Sequence, residues 1–271
     1  MLPLGLVLVG CANLQEVRDY AGESAKLAAY KDLTTHFRDT YSREAPYLSG
    51  AALAAAQAND SKRQAAYGDL IQVHNTVARY MMTLATVAGD KSFDLSQGID
   101  AVTTQIKAHP DVGLQAAHVD AISTVAKLVS NWHSAYYQQD AVKDMVRRAE
   151  AGVQISLEGM ANLLRMYRKT HDNERKQVLG LFETEFALAE GQAKDPLLMA
   201  LARAHYQQKA AEFAATDGRL AAAERAIGEV ARGHTQLYRH IDDLSTKELK
   251  DGLARLAKDL KSLREQIQTL Q

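Results

Sequence analysis

The imidazoles and thiols of this sequence, the side chains most apt to ligate a transition metal, are nine histidines and a single cysteine, Cys11. One cysteine makes neither an intrachain disulfide nor a cysteine-based zinc site. A metal site on one helix needs ligands three or four residues apart, where they share a face. No two histidines have that spacing, and neither Glu-x-x-His nor His-Glu-x-x-His occurs. These gaps argue against a di-iron carboxylate centre and against a zincin site. Gly-x-Ser-x-Gly and the Gly-x-x-x-x-Gly-Lys loop are also missing from the sequence, so neither a nucleophile elbow nor a nucleotide cradle is expected. No metal, cofactor or catalytic residue is predicted, and the chain is read as not an enzyme.

Three other groups of residues invite a role. Trp132, His133, Tyr136 and Tyr137 are the densest aromatic cluster, suited to a ligand pocket or partner surface or, more plainly, to a core. His234 falls at a core position of a heptad pattern, between Ile227 and Ile241. It reads either as a hydrogen-bonded histidine fixing helix register or as a pH-sensitive joint. Gly152, Ser156 and Gly159 leave a smooth strip on a helix face, which favours close approach of another helix over a flat ligand.

The elements that must position these residues are helices. Hydrophobic residues make up 46% and charged residues 24% of the 271, which marks a folded chain, and only 4 prolines interrupt it. Helical spacing appears nearly everywhere and no useful period-2 pattern does. Helix A is expected from about residue 13 to 43. Helix B follows to about residue 88, with a break near Asn59-Asp60-Ser61, where Ser61 and Gln64 suggest a capping box. A connector over 91–112 carries a short helix with Ile99, Val102 and Ile106. Helix C starts near Leu114, stutters at Gln138-Gln139-Asp140 and turns at His171-Asp172-Asn173, before a further helix from Val178 to Ala189. Asp195-Pro196 is a helix start, an N-cap aspartate with proline at the first helical position. Helix D places Tyr206, Phe213, Leu220, Ile227, His234 and Ile241 at one heptad position and Ala223, Val230, Leu237 and Leu244 at its partner.

Ser245 and Glu248 suggest a capping box for the last helix. That helix carries Leu249, Leu253, Leu256, Leu260, Leu263, Ile267 and Leu270 as a narrow coiled-coil seam. The fold expected is an all-α, elongated antiparallel up-down helical bundle with coiled-coil-like packing. Its organisation is read as a segment 1–10, a bundle 11–244, and a C-terminal coiled-coil helix 245–271 packed on the bundle or extending it.

At the N-terminus, Leu-Pro-Leu-Gly-Leu-Val-Leu-Val-Gly over residues 2–10 precedes Cys11, and no charge appears before Glu16. The run is too short to span a bilayer but suits the apolar part of a signal peptide. With Leu8-Val9-Gly10-Cys11 it resembles the lipoprotein signal of bacteria. The resemblance implies a diacylglycerol on the Cys11 thiol, cleavage before Cys11 and acylation of the new amine, palmitate being the class of chain. Ala12 in place of aspartate leans towards the outer membrane. The Lys or Arg that usually precedes such a run is missing, which implies a start further upstream or a trimmed segment.

The formal net charge of −1 gives no bulk reason to bind nucleic acid. The expected role is a lipid-anchored structural or protein-interaction module of the cell envelope, tethered to the membrane by its lipid. Its partner would be another envelope protein or a second copy. The alternatives are a periplasmic binding protein holding a small apolar ligand between helices, and a membrane-active bundle. The last is disfavoured because no apolar run of 18 residues follows the signal; the closest, Tyr80 to Ala88, is too short.

Overall fold

The computed structural model describes residues 14–26, 30–89, 106–130, 138–189 and 195–268, and all of the extended elements among them are α-helices. In chain order they are α1 (Gln15–Ala25), α2 (Tyr30–Arg38), α3 (Thr40–Glu44), α4 (Gly50–Val87), α5 (Ala116–Ser130), α6 (Gln138–Ala189), α7 (Pro196–Arg239) and α8 (Lys247–Gln268). They form an all-α antiparallel bundle. At 1.5 Å per residue, α6 is about 78 Å long and α7 about 66 Å.

The antiparallel pairing can be followed along the α6–α7 hairpin. Gln154 reaches Thr235, Arg168 pairs with Glu224, Arg175 with Asp217, and the Tyr206 hydroxyl donates to Glu183. The start of α7 follows its sequence signal: the Asp195 carboxylate accepts from the backbone N–H of Leu197 at 2.9 Å, with Pro196 at the first helical position. The chain turns again at 240–246, and α8 runs back along α7 with α1 on its other side. Leu249, Leu253, Leu256, Leu260, Leu263 and Ile267 are all buried there; Leu270 lies outside the described residues.

The inner helices are fastened to α7 by tyrosines. The Tyr20 hydroxyl of α1 donates to the Val230 carbonyl at 2.5 Å, and the Tyr30 hydroxyl of α2 donates to the Ala223 carbonyl. Each buried phenol thereby satisfies its polar end while its ring fills the core. The small-residue strip on α6 seats α5: a Cβ at Gly152 would lie 3.0 Å from Val125 Cγ2, and one at Gly159 would lie 3.1 Å from His118.

Several sequence-based boundaries are corrected. Helix A is not one element: a turn at Lys26 ends α1 and another at Asp39 separates α2 from α3. Helix B is unbroken through Asn59-Asp60-Ser61; Ser61 hydroxyl bonds back to the Gln57 carbonyl inside α4, so it caps nothing. The stretch 171–173 is not a turn, because α6 runs through it and absorbs the helix expected from Val178. Asp243 organises the turn before α8, accepting from the backbone N–H of Ser245 at 2.9 Å. Of the connector, Ile106 is buried but non-helical, and Pro110–Val112 is a 3₁₀ turn closed by Gly113 at φ +93°. The remainder of that short helix lies outside the described residues.

Candidate functional site

Trp132, His133, Tyr136 and Tyr137 lie outside the described residues, as does Cys11. His234 does not: it sits in the centre of the bundle at 0% exposure. Its Nδ1 is 2.6 Å from the Glu150 carboxylate of α6, and its Nε2 is 2.6 Å from the Tyr80 hydroxyl of α4. A carboxylate only accepts, so Nδ1–H donates to it, and with the proton on Nδ1 the Nε2 lone pair accepts from the Tyr80 hydroxyl. Burial holds the Tyr80 phenol well above its ordinary pKa, so it keeps that proton. Tyr80, His234 and Glu150 thus tie α4, α7 and α6 together, and all three have their polar ends engaged.

A second histidine cluster is built differently. His36 comes from α2, while His171 and Glu174 come from one face of α6, three residues apart. One ligand-capable atom from each lies within 4.8 Å of the others. His171 is 3% and Glu174 2% exposed. The His171 Nε2 is 3.2 Å from the Phe213 carbonyl and 3.3 Å from the Asp217 carboxylate, both on α7. Nε2 therefore carries the proton, and Nδ1, buried without a partner, is left with a lone pair. The Nε2 of His36 is likewise buried and unpartnered. Burial lowers the His36 pKa to about 3, helped by the Arg43 guanidinium, and lowers that of His171 as well. Arg43 forks onto Glu174, with Nε–Oε1 and Nη2–Oε2 both 2.8 Å.

Sequence spacing missed this cluster because its two histidines come from separate helices. The available signal was the pair His171-x-x-Glu174, which shares a buried face with Tyr167 and Val178.

Two features of the surface stand apart from these clusters. A groove of about 670 Å³ lies between the first half of α4 and α6, lined by Leu48 and Ala52 but also by Lys62, Arg63, Lys169 and Lys176. The Arg63 guanidinium is nearly buried there, 5.9 Å from the Phe37 ring centroid. At the far end of the α6–α7 hairpin, Leu188, Leu197, Leu198 and Leu201 are 59%, 67%, 61% and 60% exposed, and Leu181 is 41% exposed. Behind them Phe182 packs on Tyr206 and His205, and the His205 Nε2 is 2.7 Å from the Tyr47 hydroxyl. Among the described residues no helix is long and apolar enough to cross a membrane. Comparison with family models, with curated proteins and with solved structures finds no match to this chain.

Proposed function

We propose that this chain is a lipid-anchored protein of the bacterial cell envelope, held through acyl chains on Cys11 at the outer membrane. It acts as a structural or protein-interaction module and not as a catalyst. The observation that carries the interaction role is the leucine end of the α6–α7 hairpin. Leu188 near the end of α6 and Leu197, Leu198 and Leu201 in the first turns of α7 are each about three-fifths exposed. Soluble proteins keep such clusters small, and larger ones mark contact surfaces. The aromatic packing of Phe182, Phe186 and Tyr206 just behind them stiffens the end that carries them. The charged lining of the α4–α6 groove, Lys62, Arg63, Lys169 and Lys176 with Glu44 and Asp111, does not suit a small apolar ligand, which favours the interaction role over the binding-protein alternative.

The anchor and the surface are tested separately. Intact mass spectrometry of the membrane-extracted protein, with its native leader, should give a chain starting at acylated Cys11; an unmodified soluble chain defeats the anchor. For the surface, a photo-reactive residue placed at 198 in the lipidated protein should give a discrete adduct in native cells, and one at Lys258 on α8 should not. Leu197→Ser, Leu198→Ser and Leu201→Ser together should abolish the adduct formed from a third position, Leu188. Their exposure means stability should move by only about 0.5 kcal/mol per site. Equal adducts at 198 and 258, or none, would reject the hairpin end as the contact surface.

A further inference from the structure

We propose that His36, His171 and Glu174 form a site for one divalent transition-metal ion of the class that favours imidazole, zinc foremost. The inference is independent of the lipid and of the leucine end.

The donor set fits. Two imidazoles and a carboxylate are a recurrent three-ligand set for zinc, leaving a fourth position for water. A tetrahedral ion with bonds near 2.1 Å holds its ligands roughly 3.4 Å apart. The three ligand-capable atoms already lie within 4.8 Å of one another, so modest side-chain rotation closes the set. The two nitrogens that would bind are His36 Nε2 and His171 Nδ1, both buried with no hydrogen-bond partner. Such groups cost free energy unless something satisfies them.

The surroundings fit as well. Metal-bound histidines commonly donate the other ring N–H to a carboxylate or a backbone carbonyl, which fixes the tautomer. His171 has both, the Asp217 carboxylate and the Phe213 carbonyl, on its Nε2 side. Arg43 engages one lone pair on each Glu174 oxygen. Each oxygen retains a second, so Glu174 can bind the ion with Arg43 supporting it from behind. The Arg43 charge opposes a cation, and only one carboxylate, Glu174, belongs to the ligand set. Calcium and magnesium, which ask for several oxygens, are therefore excluded in favour of an ion held mainly by nitrogen. A small cavity of about 40 Å³, bounded by Val178, Lys209, Glu212 and Thr216, adjoins His36 and Glu174.

The test uses the full-length protein stripped with chelator and titrated with Co²⁺, then Zn²⁺. The expected result is one Co²⁺ per chain with the intense visible bands of a four-coordinate ion, displaced by Zn²⁺. His36→Gln should weaken binding at least 10-fold with an unchanged helical spectrum. Asp217→Asn, which leaves the three ligands in place but weakens the support of His171 along with the Arg175 ion pair, should weaken it about 10–100-fold, whereas Arg175→Gln, which removes only the ion pair, should not. His240→Gln, near the end of α7, should leave it unchanged. If a variant fails to fold, paramagnetic shifts in the unmutated Co²⁺ protein decide: the imidazole protons of His36 and His171 must be the ones displaced. Absence of stoichiometric uptake, uptake indifferent to His36→Gln, or shifts on other histidines would overturn the assignment.

Discussion

Gly233 of α7 lies where the ring of Tyr20 from α1 presses against the helix backbone. A Cβ at 233 would overlap Cε2 and Cζ of that ring, and even Cδ2 would be only 3.0 Å away. The ring cannot easily withdraw, because it is fully buried and its hydroxyl is bonded to the Val230 carbonyl. Gly233→Ala should therefore destabilise the fold by about 1–3 kcal/mol through overpacking, despite the better helix propensity of alanine. Gly228 lies one and a half turns earlier with nothing within 4 Å of its Cβ direction. Gly228→Ala should stabilise by roughly 0.5–1 kcal/mol. Denaturant midpoints of the two variants should move in opposite directions; movement of both towards higher denaturant would show that Tyr20 does not occupy that space.

The Tyr80–His234–Glu150 bridge should behave as a coupled unit. Tyr80→Phe removes the hydroxyl that His234 Nε2 accepts from at 2.6 Å, leaving a buried acceptor unsatisfied. The expected cost is about 1–3 kcal/mol. In a His234→Leu background the same change should cost less, because there is no acceptor left to orphan. A double-mutant cycle by urea unfolding should yield a coupling of roughly 0.5–3 kcal/mol. Strict additivity would mean the bridge does not form.

Acid should weaken the protein through His74. This ring is buried, stacks on Tyr30 with centroids 5.6 Å apart, and has Nε2 2.8 Å from the Thr34 hydroxyl. Burial lowers its pKa from 6.5 to about 3. The unfolded chain therefore takes up the proton first as the pH falls. The stability this histidine permits is greatest above pH 6.5 and is lost progressively between 6.5 and about 3. Between pH 7 and pH 5 the loss should be about 2 kcal/mol from His74 alone. In His74→Phe, which keeps an aromatic ring against Tyr30, that part of the pH dependence should vanish. An identical pH 7-to-5 difference in both proteins, by urea unfolding, would place the acid sensitivity elsewhere.

Apolar periodicity made the long helices and their antiparallel order readable, because Leu, Ile, Val and Ala fill most inward positions of α7 and α8. It failed where inward positions are polar. In α6 the inward series runs Tyr167, His171, Glu174, Val178, in unbroken four-three spacing. Two of its members are a histidine and a glutamate, so the stretch resembled a turn. The same cause hid the candidate site, whose residues are core residues in position and polar in kind. Asn59-Asp60-Ser61 misled in the opposite way: that part of α4 is largely exposed, so polar residues there continue a helix without breaking it. The split of helix A into α1, α2 and α3 had no comparable local signal, since Lys26 and Asp39 are residues a helix tolerates. Tyr20 and Tyr30, on either side of the first break, anchor to different turns of α7.

The C-terminal helix should prove integral to the monomer. Its seam from Leu249 to Ile267 is buried against α7 and α1, with Leu253 and Leu260 fully enclosed. Polar contacts hold both margins. Arg264 pairs with Glu23 of α1 at 3.2 Å, and Arg219 of α7 donates from Nε to the Ile267 carbonyl at 3.0 Å. The latter places a cation on the last carbonyls of α8, where the helix dipole favours it. Leu256→Asp with Leu260→Asp would put two carboxylates into that seam. Burying a leucine is worth about 1.5–3 kcal/mol, and an unpaired buried charge costs more. The pair of changes should thus release α8 and lower the thermal midpoint sharply. Arg219→Met should cost far less, within about 1–2 kcal/mol, since it removes one capping contact. Light scattering should give the same monomeric mass before and after the double substitution at low protein concentration. A wild-type assembly that the double variant dissociates without loss of helix or thermal midpoint would show that the seam joins chains, and that α8 does not dock within its own.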